Sequence, residues 1–146
     1  MIKLTKIFHF EMAHAIHGYT GLCKDIHGHS YELHVTVAAD VLETAYLPAP
    51  GFMIDFKEIK KLVISSVIEK LDHHLVVSAG FIAAHPSLSS QKNLVIFEAE
   101  PTAENLLLNI KQILDKVLTD KIKLVHLKLF ETKDSMQNGC KISYKP

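Results

Sequence analysis

Three histidines and a cysteine near the N-terminus are the residues best suited to chemistry: His14 in Phe10-Glu11-Met12-Ala13-His14, then Cys23, His27 and His29 in Cys23-Lys24-Asp25-Ile26-His27-Gly28-His29-Ser30-Tyr31. In an extended strand successive side chains point to opposite faces, so His27-Gly28-His29 places two imidazoles on one face with no side chain between them. Imidazole is a good ligand for Zn²⁺, and three protein ligands with an open fourth position are what a catalytic zinc site needs. His14 is the natural third ligand. Ten histidines in 146 residues also give close spacings by chance, and a pair on a strand can be plain polar surface. The local pattern favours the metal. His27, His29, Tyr31, Leu33, Val35 and Val37 share one parity, so the two imidazoles end an apolar, inward-facing row and need partners there.

Other residues have two readings each. A cysteine four residues before a histidine serves as a fourth zinc ligand or as a reactive thiol, which leaves both roles open for Cys23. Leu71-Asp72-His73-His74 ends a helical pattern, where histidine suits the helix dipole or supplies an acid/base pair. Glu131 shares parity with Val125, Leu127 and Leu129, so a carboxylate falls on an apolar face at a strand end, to bind a ligand, cap a turn or reach solvent.

The elements that must position these residues follow from periodicity. Residues from about Lys3 to Ala13 alternate through Leu4, Lys6, Phe8, Phe10 and Met12 and pair with a strand from His29 to Ala39. Asp55, with Glu58 three residues on, opens a helix whose apolar stripe is Phe56, Ile59, Val63, Val67 and Leu71. Thr102 caps a second helix with the stripe Leu106, Ile110, Ile113, Leu114 and Val117. Between them Val76 to Glu100 is an irregular excursion, with a loop at Pro86-Ser87-Leu88-Ser89-Ser90 and a short strand at Leu94-Val95-Ile96-Phe97. The last strands run from about Lys121 to Glu131 and from Cys140 to Tyr144. Antiparallel strands with two helices laid over one face make an α+β domain.

Composition bounds the rest. The 146 residues are 48% hydrophobic and 22% charged, with no repeat and no linker, as expected of one domain spanning 1–146. Formal net charge is zero and Lys and Arg form no basic stripe, which argues against nucleic acid. The first residues lack the apolar core of a signal peptide, and no apolar run spans a bilayer, so a cytoplasmic protein is expected. In that compartment both cysteines are expected as free thiols.

Six segments, in this order, resemble the 6-pyruvoyltetrahydropterin synthase and 6-carboxytetrahydropterin synthase family: Phe10-x-Met12-Ala13-His14, Cys23-x-x-x-His27-Gly28-His29-Ser30-Tyr31, Met53-Ile54-Asp55-Phe56, Leu71-Asp72-His73-His74, Pro101-Thr102-Ala103-Glu104-Asn105 and Phe130-Glu131-Thr132. The resemblance implies a tunnelling fold (T-fold), a four-stranded antiparallel sheet with two helices on one face. In it, subunits join sheets edge to edge around a barrel, as a hexamer of two trimers with active sites between subunits. It also implies His14, His27 and His29 as zinc ligands; Cys23, Asp72 and His73 as the proton-transfer group; Glu131 as the anchor of a pterin ring; and Thr102 and Glu104 as lining of the pterin pocket. With the resemblance, Cys23 reads as a proton-transfer group rather than a fourth ligand.

The implied substrate is 7,8-dihydroneopterin triphosphate. The implied product is 6-carboxy-5,6,7,8-tetrahydropterin with release of acetaldehyde and triphosphate, a route towards queuosine. The neighbouring branch gives the pyruvoyl product of tetrahydrobiopterin synthesis, and a binding protein that keeps the scaffold without turnover is the reading outside enzymology. Two departures stand out: Met12 takes a place where a small residue is usual, and Leu75-Val76-Val77 replaces a usual Leu-Asn pair. With the long excursion that follows, they bear on side-chain specificity more than on the chemistry.

Overall fold

Strict alternation makes the first two strands. In the computed structural model, which describes residues 2–39, 46–119, 122–131 and 140–145, β1 (Ile2–His14) and β2 (His27–Ala39) pair antiparallel in one unbroken register from Ile2 opposite Ala39 to His14 opposite His27. Directly opposed residues share a face, so Phe8, Phe10, Met12 and His14 join Tyr31, Leu33, Val35 and Val37 on the buried side. Phe10 stacks on Tyr31 with ring centroids 5.0 Å apart. β5 (Lys123–Glu131) pairs antiparallel with β2, placing Glu131 opposite Tyr31, and β6 (Cys140–Tyr144) closes on β5. The four expected strands therefore form, with β1 and β2 each meeting closer to the turn than alternation alone indicates. Thr132 and the Cys140 thiol, both named above, lie outside the described residues and side chains.

Two helical arms cover the buried face. The Asp55 side chain accepts from the Lys57 N–H at 2.7 Å and starts α1 (Phe56–Val63), which continues through a π-helical segment (Ile64–Ile68) into α2 (Glu69–Leu71). An α-helix advances about 100° per residue, so a four-residue spacing overshoots by about 40° at each step. Ile59, Val63, Val67 and Leu71 keep that spacing and are all buried, together with Ile68. The wider π turn lets the stripe stay on the sheet. Thr102 Oγ1 accepts from the Asn105 N–H at 3.3 Å and starts α4 (Ala103–Val117), which buries Leu106, Leu107, Ile110 and Leu114. Phe56 and Val117, expected in the apolar stripes, are exposed because each sits at a helix end beyond the edge of the sheet's core.

The excursion is ordered, which alternation alone did not show. β3 (His74–Ser78) runs parallel to β1 and pairs with only Met12, Ala13 and His14, and β4 (Leu94–Phe97) runs parallel to β3. β-branched Val76, Val77, Val95 and Ile96 suit a sheet. Between them Ser78 caps α3 (Ala79–Ala84) and a 3₁₀ turn spans Pro86–Ser90. The described sheet thus has six strands in the order β4-β3-β1-β2-β5-β6, four antiparallel and two added in parallel at one side. A second small core of Ala15, Leu75, Val77 and Phe81 holds the addition in place. Among the described residues no helix is long and apolar enough to cross a membrane.

Candidate metal centre and active site

The register of β1 on β2 brings His14 and His27 face to face, with His29 one inward position further along β2. The three imidazoles have potential ligand atoms within 4.8 Å of one another, and His14 Nε2 lies 3.0 Å from His27 Nε2. Backbone carbonyls set their orientation. His14 Nδ1 donates to the carbonyl of Pro101 (2.7 Å) and His27 Nδ1 to that of Asp25 (2.8 Å). A carbonyl oxygen only accepts, so in both rings the proton sits on Nδ1 and the Nε2 lone pair points into the cluster.

Two lone pairs 3.0 Å apart need a proton or a cation between them. Burial opposes the proton: it lowers the pKa of His14, which is 3% exposed, against the raising influence of the Pro101 carbonyl and of Glu131, and it lowers that of His29 likewise. Three imidazoles whose ring nitrogens gather within 4.8 Å of one another are a donor set that fits Zn²⁺. Cys23 is outside this three-histidine group.

Glu131 stands beside the cluster. Its Oε1 lies 3.5 Å from His14 Nε2 and 3.7 Å from His29 Nε2, and the Tyr31 hydroxyl donates to it at 3.0 Å. Burial, then the Glu131 charge, push the Tyr31 hydroxyl well above its ordinary pKa, so it remains a donor. A cavity of about 340 Å³ opens here, lined by His14, Tyr19, Cys23, Thr102, Glu104 and Glu131 among others. Its size is within the range of small-molecule sites. Cys23 reaches it from the β1–β2 connection, where a 3₁₀ turn (Leu22–Lys24) is tied down by the Ile16 N–H donating to the Cys23 carbonyl at 2.8 Å. Its thiol is free and exposed. Five of the expected site residues, His14, Cys23, Thr102, Glu104 and Glu131, thus share one cavity, and His27 and His29 adjoin it through His14.

Asp72 and His73 are not brought to that cavity within the chain. They follow α2 at the end of β1, where the Glu11 N–H donates to Asp72 Oδ1 (2.8 Å) and the His73 N–H to the Glu11 carbonyl (2.6 Å). His73 Nδ1 lies 3.0 Å from Asp72 Oδ1, and the Glu11 N–H, the first cause, with His73 behind it, holds the Asp72 carboxyl below its ordinary pKa. The His73 ring lines a different cavity, of about 500 Å³, with Glu11 and Ser30. By strand parity those two residues face away from His14 and Tyr31.

Sequence reasoning missed four contributors. Tyr31 reads from the sequence as one of an apolar row, although its parity with His27 and His29 puts a hydroxyl beside them. The carbonyls of Pro101 and Asp25 leave no mark in residue type. Glu32 is buried on the helix-free face, 2.6 Å from His34 Nε2 and 3.8 Å from His9 Nδ1, so two histidines without a motif have a local partner.

An α+β sheet with both main helices on one face and a three-histidine centre at its strand ends defines a T-fold domain. Solved structures agree: the chain superposes on 6-pyruvoyl tetrahydropterin synthase from Caenorhabditis elegans with a TM-score of 0.67 at 21% identity, covering 99% of this chain and 95% of that one. The Plasmodium falciparum 6-pyruvoyl tetrahydropterin synthase gives a TM-score of 0.65 at 16% identity, covering 99% and 98%. The 6-pyruvoyl tetrahydropterin synthase family model matches residues 3–138, and the chain belongs to that family. Among curated relatives, a 6-carboxy-5,6,7,8-tetrahydropterin synthase of Rickettsia bellii is 33% identical over 136 residues, 90% of this chain and 95% of the relative. A dihydroneopterin monophosphate aldolase of Pyrococcus furiosus is 29% identical over 122 residues, 84% and 82% of the two chains.

Proposed function

We propose that this chain is a zinc-dependent lyase that converts 7,8-dihydroneopterin triphosphate to 6-carboxy-5,6,7,8-tetrahydropterin, releasing acetaldehyde and triphosphate. The observation that carries the reading is the meeting, in one cavity, of a free thiol, a carboxylate held by a tyrosine and the edge of a three-histidine centre. The relatives named 6-carboxy-5,6,7,8-tetrahydropterin synthase favour this product over its pyruvoyl counterpart.

His14, His27 and His29 would hold the zinc; when bound, it supplies Lewis acidity to the hydroxyls and adjoining C–H bonds of the substrate side chain. Glu131 presents a carboxylate to the planar N–H edge of the pterin, a charge-assisted contact that fixes the ring. Tyr31 occupies one oxygen of that carboxylate and so limits its rotation. Thr102 and Glu104, at the capped start of α4, wall the cavity opposite β5. Cys23, the only thiol among the described side chains that line the cavity, takes the proton from the substrate side chain.

Asp72 and His73 complete the proton path from a neighbouring subunit. Two features support an assembly of this kind: His73 is 79% exposed although its backbone is firmly held, and β1 from Ile2 to Phe10 has no strand partner on its outer side among the described residues. Sheets continued across that edge suit the expected hexamer of two trimers. A reducing cytoplasm would keep the Cys23 thiol free.

Mass spectrometry of products, after zinc-loaded protein meets 7,8-dihydroneopterin triphosphate, tests the proposal with Cys23→Ala as control. Carboxytetrahydropterin and acetaldehyde are expected. A pyruvoyl product would move the chain to the neighbouring reaction. No Cys23-dependent product would refute the assigned chemistry and leave a pterin- or zinc-binding protein.

A further inference from the structure

We propose that Asn93 is a positioning residue for His73, and that the segment between β3 and β4 acts as a brace for the Asp72–His73 pair. The inference rests on the reading of His73 as a proton-transfer group. His73 has φ +59°, the only positive φ at a non-glycine among the described residues. Left-handed backbone is costly for any residue with a Cβ, and helix ends that need it use glycine or asparagine by preference. Glycine would make the same turn from α2 into β3 without strain. Burial does not explain the histidine, because its ring is 79% exposed. Strain kept at an exposed, titratable side chain is the mark of a residue retained for its orientation.

The backbone of His73 is pinned from both sides. Its N–H donates to the Glu11 carbonyl (2.6 Å), and its own carbonyl accepts from Asn93 Nδ2 (2.8 Å). The Asn93 carbonyl in turn accepts from the Leu75 N–H at 2.9 Å. One residue from the start of β4 therefore grips positions 73 and 75 at once, across the first turn of β3. The result is a fixed ring: Asp72 Oδ1 lies 3.0 Å from Nδ1, which leaves Nε2 for the cavity that His73 and Asn93 line together. Asn93 touches no candidate ligand group. It acts through His73.

The test compares Asn93→Ala and Asn93→Asp, the latter close in shape but without the donor, with Lys92→Ala, an exposed neighbour. Amide hydrogen exchange at His73, followed by NMR in the zinc-loaded full chain, reads the brace without any reaction. Steady-state kinetics against pH with 7,8-dihydroneopterin triphosphate, with His73→Ala alongside, reads its consequence. Both Asn93 variants are expected to speed exchange at His73 and to lower kcat by roughly 10- to 100-fold, with KM little changed and the limb of the pH profile lost in His73→Ala displaced. Lys92→Ala is expected to match the parent. Unchanged exchange in the Asn93 variants would overturn the brace. Faster exchange with unchanged kcat and pH profile would overturn the positioning role. Normal turnover by His73→Ala would instead refute the role given to His73, while exchange would still decide the brace.

Discussion

Replacing His73 by glycine should stabilise the protein relative to replacement by alanine, the reverse of the usual order. At φ +59° an alanine keeps the left-handed penalty of about 1–2 kcal/mol, whereas glycine removes it. Glycine's greater freedom in the unfolded chain takes back about 0.5–1 kcal/mol. The side chain itself contributes little, since the ring is 79% exposed and its partner Asp72 is 35% exposed, and such surface pairs are worth about 0–1 kcal/mol. That contact is lost equally in both variants. The difference is therefore about 1 kcal/mol in favour of His73→Gly, or about 3 °C in Tm for a chain of this size. Urea unfolding of both variants at one protomer concentration, so that association does not enter, measures it. An alanine variant as stable as the glycine variant, or more so, would refute the strain argument and weaken the brace inferred for Asn93.

Other expectations concern the centre and its support. His14→Gln should weaken Zn²⁺ binding by more than the ~10- to 100-fold that outer-shell losses cost, whereas Cys23→Ser should leave it unchanged; equilibrium competition with a chelating dye separates the two, and equal losses would make Cys23 a ligand. Tyr31→Phe removes a donor from a carboxylate 21% exposed and should cost about 2 kcal/mol in unfolding free energy, with a loss under about 0.5 kcal/mol counting against the bond. The Asp72 carboxyl titrates below its ordinary 3.8 when folded, so the stability it contributes is complete above that value and disappears as pH falls through the lower, folded pKa. Acid unfolding followed by circular dichroism should accordingly show a shallower decline below about pH 4 for Asp72→Asn than for the parent, and identical curves would contradict the assignment.

Parity made most of the site legible. The inward row from His27 to Val37 and the opposed row ending in His14 locate the three imidazoles from the sequence, because a strand has period two and a histidine cannot change face without shifting the whole row. The caps at Asp55 and Thr102 were equally plain, since their side chains satisfy local backbone donors. What stayed hidden depends on contacts distant in sequence. Leu75-Val76-Val77 is too short to tell a strand from a helix by periodicity, and it becomes a strand through pairing with β1 some sixty residues earlier. The bond from Asn93 to His73 and that from His14 to Pro101 involve backbone carbonyls, which every residue has. The separation of Asp72 and His73 from Cys23, away from its cavity, was beyond the motifs, which record order along the chain and not place in the fold.

The unbroken pairing of β1 with β2 has a consequence for how such a chain can change length. Thirteen consecutive pairs meet without a bulge, whereas the β2–β5 ladder shifts register between Thr36 and Val37, far from His14, His27 and His29. Deleting one residue between the outer part of β1 and His14 would turn that imidazole to the opposite face and, in the same stroke, move the Glu11 amide that holds Asp72. Evolution can therefore tinker with these two strands only by substitution. Insertions and deletions are best accommodated in the connections, such as the stretch between β3 and β4.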